Sequence, residues 1–306
     1  LHSSSKGVFE NEYYTGQRWS PFESKKVNYT KAELPSKGSD NPRHVVRLGQ
    51  RDYVLPFNRM PSDRSPDDPK GESFDWAALD VPDNAMGDGK ITDWAIEQLK
   101  VQQAKKPFFM AVGYYRPHIP LYAPKKYFDL YPTEKIVVPT VPKGYLKTLP
   151  RPAALSISRK KDQLNLKDEL ARKAIQAYYA SITLMDACVG KLLDALDRLK
   201  LADNTIVVFF SDHGYHLGQH GLWQKSDLFE GSARVPLIVR VPGMTRPKTR
   251  SPALVELVDV FPTLAGLCDL PAPKELQGRS MVDLLKKPAA GGQTSAYTVV
   301  SRGTQL

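Results

Sequence analysis

The stretch FFSDHGYHLGQHGLWQK, residues 209–225, gathers Asp212, three of the chain's six histidines, three glycines and Lys225 directly behind an apolar run. Asp212 and His213 are neighbours, so their carboxylate and imidazole can grip one cation only if the backbone turns sharply, which Gly214 permits. Two ligands are too few for a metal, and the remainder must come from elsewhere. Gly214, Gly218 and Gly221 suit a backbone drawn close around a small bound group, while Lys225 offers a point charge to a phosphate-like anion. A second candidate is His118, in the segment GYYRPHIP. Each residue alone has a plainer reading, as a loop histidine or a solvated lysine. Their grouping behind apolar runs is what points to an active site.

The elements that must position these groups follow from periodicity. Pro107–Val112 (PFFMAV) and Thr205–Phe210 (TIVVFF) are short continuous apolar runs, the pattern of strands buried on both faces. A third run spans Val235 to Val241. Between them, ITDWAIEQLKVQQAKK predicts a helix from Ile91, with Thr92 or Asp93 as N-cap. Residues 167–199 predict a long amphipathic helix, with Ile175, Tyr179, Ile182, Met185, Val189, Leu193 and Leu196 at helical spacing, and a further helix covers about Pro252 to Leu267. Helix alternating with buried strand predicts an α/β architecture with a mainly parallel central sheet and helices on both faces. Ligands in such sheets bind beyond the carboxyl ends of the strands, so the loops carrying His118 and Asp212–His213 are expected at one edge.

Residues 1 to about 90 are rich in Pro, Ser and Asp, yet Trp19, Phe22, Phe74 and Trp76 make them ordered loops on a scaffold rather than a disordered tail. Residues 138–162 form a long excursion full of Pro, Lys and Ser. The 306 residues carry a net charge of +10, with basic groups at Lys25-Lys26, Lys105-Lys106, Lys125-Lys126, Arg159-Lys160-Lys161 and Lys286-Lys287. Such a field attracts polyanions: nucleic acid, anionic membrane or sulfated sugar. No aromatic-basic motif of a nucleic-acid module is present, and no apolar run is long enough for a membrane span. Cys188 and Cys268 lie far apart in apolar helical contexts, as small packing residues rather than a disulfide pair.

Taken together, GYYRPHIPLYAPKKY, the segment from AYYASITLMDACVGKLL to TIVVFFSDHG, LGQHGLWQK and LVELVDVFPTLAGL resemble the sulfatase family of the alkaline-phosphatase superfamily, in its iduronate-2-sulfatase branch. The likeness runs from about Phe74 to Tyr297. It implies that Asp212 and His213 bind a calcium ion, that His118 contacts the sulfate ester and assists departure of the alcohol, and that Lys225 neutralises a sulfate oxygen. His220 and Trp223 would shape the substrate pocket, with Arg116 and His2 also on the substrate-binding side. The implied substrate is a sulfated sugar or polysaccharide, and the implied compartment is periplasmic or extracellular.

The departures are equally specific. The family's formylglycine nucleophile arises from C-x-P-S-R or S-x-P-S-R, and neither motif occurs here. The paired aspartates that complete the family's calcium shell are missing too. The expectation is therefore a partial catalytic domain over residues 1–300, with residues 301–306 opening a small C-terminal subdomain. Such a chain would be inactive by itself. Its intact parent would depend on a formylglycine-generating or anaerobic sulfatase-maturating enzyme. Two other readings stay open: a phosphodiesterase or phosphatase of the superfamily with two transition metals, and a catalytically dead glycan-binding relative.

Overall fold

The computed structural model describes residues 44–48, 51–55, 74–102, 107–157, 166 and 168–300. Trp19, Phe22, His2 and residues 301–306 lie outside this set. The chain divides into two compact units, Leu1–Thr140 with Arg159–Lys200 and Val141–Ser158 with Leu201–Leu306.

In the first unit β1 (His44–Leu48) and β2 (Arg51–Leu55) form an antiparallel hairpin. Next come β3 (Trp76–Leu79), α1 (Gly87–Gln102), β4 (Leu121–Pro124) and the short α2 (Lys125–Phe128). β3 and β4 pair in parallel, Trp76 opposite Leu121. The second unit contributes α3 (Arg151–Ser156), and the chain then returns to the first for the 31-residue α4 (Asp168–Arg198). α4 packs on β4, α1 and α2. The face it buries is Ala171, Ala174, Ala177 and Ala180, joined by Ile175, Ser181, Leu184 and Cys188. Tyr179 and Leu193, expected on the buried face, are 39% and 40% exposed. Small side chains at intervals of three let the helix lie close on a strand, so alanines share the buried face with Ile175, Leu184 and Leu196.

α1 begins at Gly87, four residues before the predicted Ile91. Its first turn, Gly87-Asp88-Gly89, looks like a loop by propensity. Tertiary contact overrides that, since a Cβ on Gly89 would stand 2.0 Å from the Asp83 carbonyl oxygen. Thr92 is not the cap; inside the helix, its hydroxyl donates to the Asp88 carbonyl at 2.8 Å. The strand buried throughout is β4, and Pro120 and Pro124 hid it by punctuating the sequence like a loop. Among the described residues Pro107–Val112 forms no strand, and Phe109 is 78% exposed.

The second unit holds β5 (Val207–Phe210), α5 (Glu230–Ala233), β6 (Leu237–Arg240), α6 (Val260–Leu267) and α7 (Val282–Lys286). β5 and β6 pair antiparallel, Phe210 opposite Leu237, with Phe210 48% and Ile238 62% exposed. An apolar run records hydrophobicity but neither the direction nor the coverage of its neighbour, which is why the expected burial on both faces fails here. α6 starts at Val260 rather than near Pro252 because Glu256 and Asp259 form a capping box over the turn Leu257–Asp259. The α/β class itself holds, with helices, one parallel pair and antiparallel pairs among the described residues.

Asp88 ties α1 to the segment that carries His118. Its two carboxylate oxygens accept the backbone N–H groups of Tyr115 (2.8 Å) and Arg116 (2.9 Å), at 2% exposure. Burial pushes the Asp88 carboxyl above its ordinary 3.8, against the opposing pull of the Arg116 guanidinium and the two amides. Replacing Asp88 by Ala strands two N–H donors and should lower unfolding free energy by about 3 kcal/mol in denaturant titrations. With a raised folded pKa, the folded chain holds the proton longer, so this group's contribution is greatest at low pH and declines as pH rises from about 3.8. The stability difference between wild type and Asp88→Asn should therefore shrink as pH rises through that range; a difference that widens would show the carboxyl is not desolvated.

Candidate active site

Each unit carries one polar cluster. In the first, the segment 115–119 is built around buried Arg116, with cis peptides before Pro117 and Pro120. Arg116 Nε donates to the Tyr122 carbonyl (3.0 Å) and one terminal nitrogen to the His118 carbonyl (3.3 Å). Through these two carbonyls Arg116, expected on the substrate side, also braces the loop. His118 Nδ1 lies 2.8 Å from the Ile119 carbonyl and 2.9 Å from the Tyr115 hydroxyl. With the hydrogen on Nδ1 donated to Ile119, Nε2 is the nitrogen that can exchange a proton. The Tyr115 ring, 4.8 Å away between centroids, holds the imidazole plane.

In the second unit the cluster is the loop after β5. Asp212 Oδ1 accepts the His213 N–H (3.0 Å), and its side chain is 70% exposed. His213 Nδ1 is 2.7 Å from the Gly214 carbonyl, and with that hydrogen bond donated its Nε2 lies 3.7 Å from Asp212 Oδ2. Gly214 is required by close approach rather than by a left-handed turn: a Cβ there would stand 2.1 Å from the Gly231 carbonyl oxygen. Its N–H donates to the Ser232 carbonyl at 2.8 Å. Gly218 and Gly221 do take positive φ, 100° and 71°, as the segment from 218 to 222 turns back on itself.

His216, which the sequence did not single out, is the hub of this loop. It is 1% exposed; its Nε2 lies 3.1 Å from Asp227 Oδ1, and its N–H donates to the Gln224 carbonyl. Asp227, equally buried, also accepts the Phe229 N–H and the Ser232 hydroxyl, each at 3.0 Å. Gly231 lies against the His216 ring, where a Cβ would be 2.6 Å from Cε1. The pair thus joins the turn after Asp212–His213, the segment bearing Lys225 and α5. Lys225 itself is half-buried between Gln224 and Asp227. The one sequence signal for this pair was the His-rich count of the loop; nothing marked Asp227.

His220 stacks on Phe229 (3.9 Å between centroids, 13°) and meets the His216 ring edge-on. Burial lowers its pKa, helped by His216 and opposed by Asp227, and its Nδ1 lies 2.5 Å from the Tyr145 hydroxyl. Trp223 is buried, and its carbonyl accepts the Tyr215 hydroxyl. Trp223 is thus enclosed in the loop, while His220 is half-buried. Among the described residues no group of three or more His, Cys, Asp and Glu is placed to hold a metal ion.

The α/β framework is of the alkaline-phosphatase type. The chain belongs to the sulfatase family, whose sequence model matches residues 47–270. It is 35% identical over 232 residues to a sulfatase of Formosa agariphila, covering 74% of this chain and 45% of that protein. It is 40% identical over 232 residues to human iduronate 2-sulfatase, covering 64% of this chain and 42% of that protein. Among solved structures, the phosphonate monoester hydrolase of Silicibacter pomeroyi superposes with a TM-score of 0.62 at 25% identity, over 69% of this chain and 43% of that one. The chain thus spans less than half the length of the curated relatives it matches. No helix among the described residues is long and apolar enough to cross a membrane.

Removing Asp227 leaves the Phe229 amide, the Ser232 hydroxyl and the His216 ring without their shared acceptor. Asp227→Ala should cost about 3 kcal/mol of stability in denaturant unfolding, whereas Asp212→Ala, at an exposed position, should cost less than about 0.5 kcal/mol. Equal losses would mean that the buried pair does not hold the loop.

Proposed function

We propose that this chain supplies the cation-binding and leaving-group side of a sulfuric ester hydrolase acting on a sulfated sugar. The observation that carries this reading is the loop 211–229, in which a carboxylate–imidazole pair and Lys225 are held on one buried hydrogen-bonded hub. Asp212 Oδ2 and His213 Nε2 lie 3.7 Å apart, close enough that both could contact one ion. These two residues would hold the ion with further ligands from elsewhere, and bound there it would offset charge on the ester. A formylglycine from the family's motif would supply the nucleophile.

This chain's own residues account for the remaining steps. Lys225 stabilises the anionic sulfate by point charge at a half-buried position, where screening is weaker than in bulk water. His118, its ring fixed through Nδ1 within the first unit, matches by resemblance the family's histidine that gives a proton to the departing sugar oxygen. The sugar class rests on the name of the human relative, iduronate 2-sulfatase, and on the +10 charge of this chain. An exported location and a formylglycine-installing partner follow from the same reading. The phosphonate monoester hydrolase likeness supports a competing phosphoester reading, at lower identity than the sulfatases.

In the intact enzyme, His118→Ala and Lys225→Ala should each lower turnover of 4-nitrophenyl sulfate roughly 10²-fold or more. Calorimetry should show one calcium site, lost in Asp212→Ala. Faster hydrolysis of a phenyl phosphonate ester than of the sulfate ester would decide for the competing reading.

A further inference from the structure

We propose that the segment 141–151 is a second anion-binding surface for a sulfated glycan, a subsite that reads the chain beyond the scissile sulfate. This rests on the sulfatase reading above and adds a polymer-binding element to the same loop.

Three observations converge. First, the segment carries Lys143, Lys147 and Arg151, all exposed, and no acidic residue occurs from Lys135 through Lys161. None of the three cations makes an ion pair among the described residues, whereas Lys100, Lys125, Lys126, Lys173 and Lys191 each hold a carboxylate. Second, the segment is anchored to the loop that bears Lys225. The Tyr145 hydroxyl is hydrogen-bonded to His220 Nδ1 at 2.5 Å, with the rings 5.5 Å apart between centroids, and His220 is itself stacked on Phe229. Both partners lie in the same unit of the fold. Lys143 and Lys147 stand two residues to either side of that anchor. Two residues span at most about 7 Å of chain, so their Cα atoms lie within that distance of the anchor.

Third, the segment is shaped in advance. Gly144 takes the left-handed φ of 81° that swings Tyr145 toward its partner. Backbone bonds close the turns, Tyr145 N–H to the Pro142 carbonyl (3.1 Å) and Lys147 N–H to the Gly144 carbonyl (2.9 Å). The Thr148 hydroxyl donates to the Tyr145 carbonyl at 2.7 Å, and Pro150 and Pro152 open α3. A prolyl-rich, internally bonded segment loses little conformational entropy when it meets a ligand. Cations on such a framework, with no carboxylate to neutralise them, fit a polymer that repeats negative charge along its length.

A probe with regular sulfates tests this: a heparin-derived hexasaccharide, titrated by calorimetry against the chain at about 0.15 M salt. The triple variant Lys143→Gln/Lys147→Gln/Arg151→Gln should weaken binding roughly tenfold or more. A control of equal charge change in the same unit, Lys274→Gln/Lys286→Gln/Lys287→Gln, should weaken it less than about twofold. Tyr145→Phe, which keeps every charge and deletes the hydroxyl that meets His220, should weaken it measurably by loosening the anchor. Equal weakening by the two triple variants overturns the subsite and leaves the sulfatase reading untouched, because that reading stands on the Lys225 and His118 kinetics. A matching tenfold loss for a 20-base-pair DNA duplex overturns the glycan assignment. Retained duplex affinity alongside lost hexasaccharide affinity supports it.

Discussion

Asp75, Asp88, Asp227 and Asp259 are each buried to 2% exposure or less, and a carboxylate there is tolerable only when hydrogen-bond donors surround both oxygens. Here the donors come from elsewhere in the chain. Asp75 takes the Tyr122 hydroxyl and the Trp76 N–H. Asp88 takes the amides of Tyr115 and Arg116. Asp227 takes His216, Phe229 and Ser232, and Asp259 takes Glu256, Arg279 and Gln293. The same desolvation that makes such a group costly alone makes each of its bonds strong and directional. A protein whose chemistry sits on long loops needs that property, because few of these loop residues lie in ladders that would hold them.

The division of labour follows from burial. Groups with candidate chemical roles, Asp212, His213, His118 and Lys225, are exposed or half-exposed, where a ligand can reach them. The groups that aim them, Asp88, Arg116, His216 and Asp227, are sealed in the interior. His216 illustrates the limit of reading histidine by type. Three histidines share one loop, yet His213 faces outward beside a carboxylate, His216 is a buried link, and His220 is a stacking partner for Phe229. Composition is the same for all three, and burial separates their roles.

Much of the candidate site was legible without coordinates. The order Ser211-Asp212-His213-Gly214, then Lys225, was recoverable because those residues are contiguous and the strand before them is apolar. α4 was legible because its 31 residues carry no proline and only Gly190 as a break. The start of α1 was not, because Gly87 and Gly89 look like a loop until Asp83 is seen packed against Gly89. β4 was not, because its flanking prolines mask a strand buried by distant α4.

Local spacing and residue chemistry thus determined the helices, the apolar runs, the cation-and-anion character of the loop and the basic excursion after residue 138. Tertiary structure alone decided that β6 runs antiparallel to β5, that alanines share the buried face of α4 with Ile175, Leu184 and Leu196, and that Asp88 and Asp227 are linchpins. The reason is physical. Periodicity and propensity act over a few residues, whereas a buried carboxylate's meaning is set by donors 27 residues away for Asp88 and 11 for Asp227, brought near only by the fold.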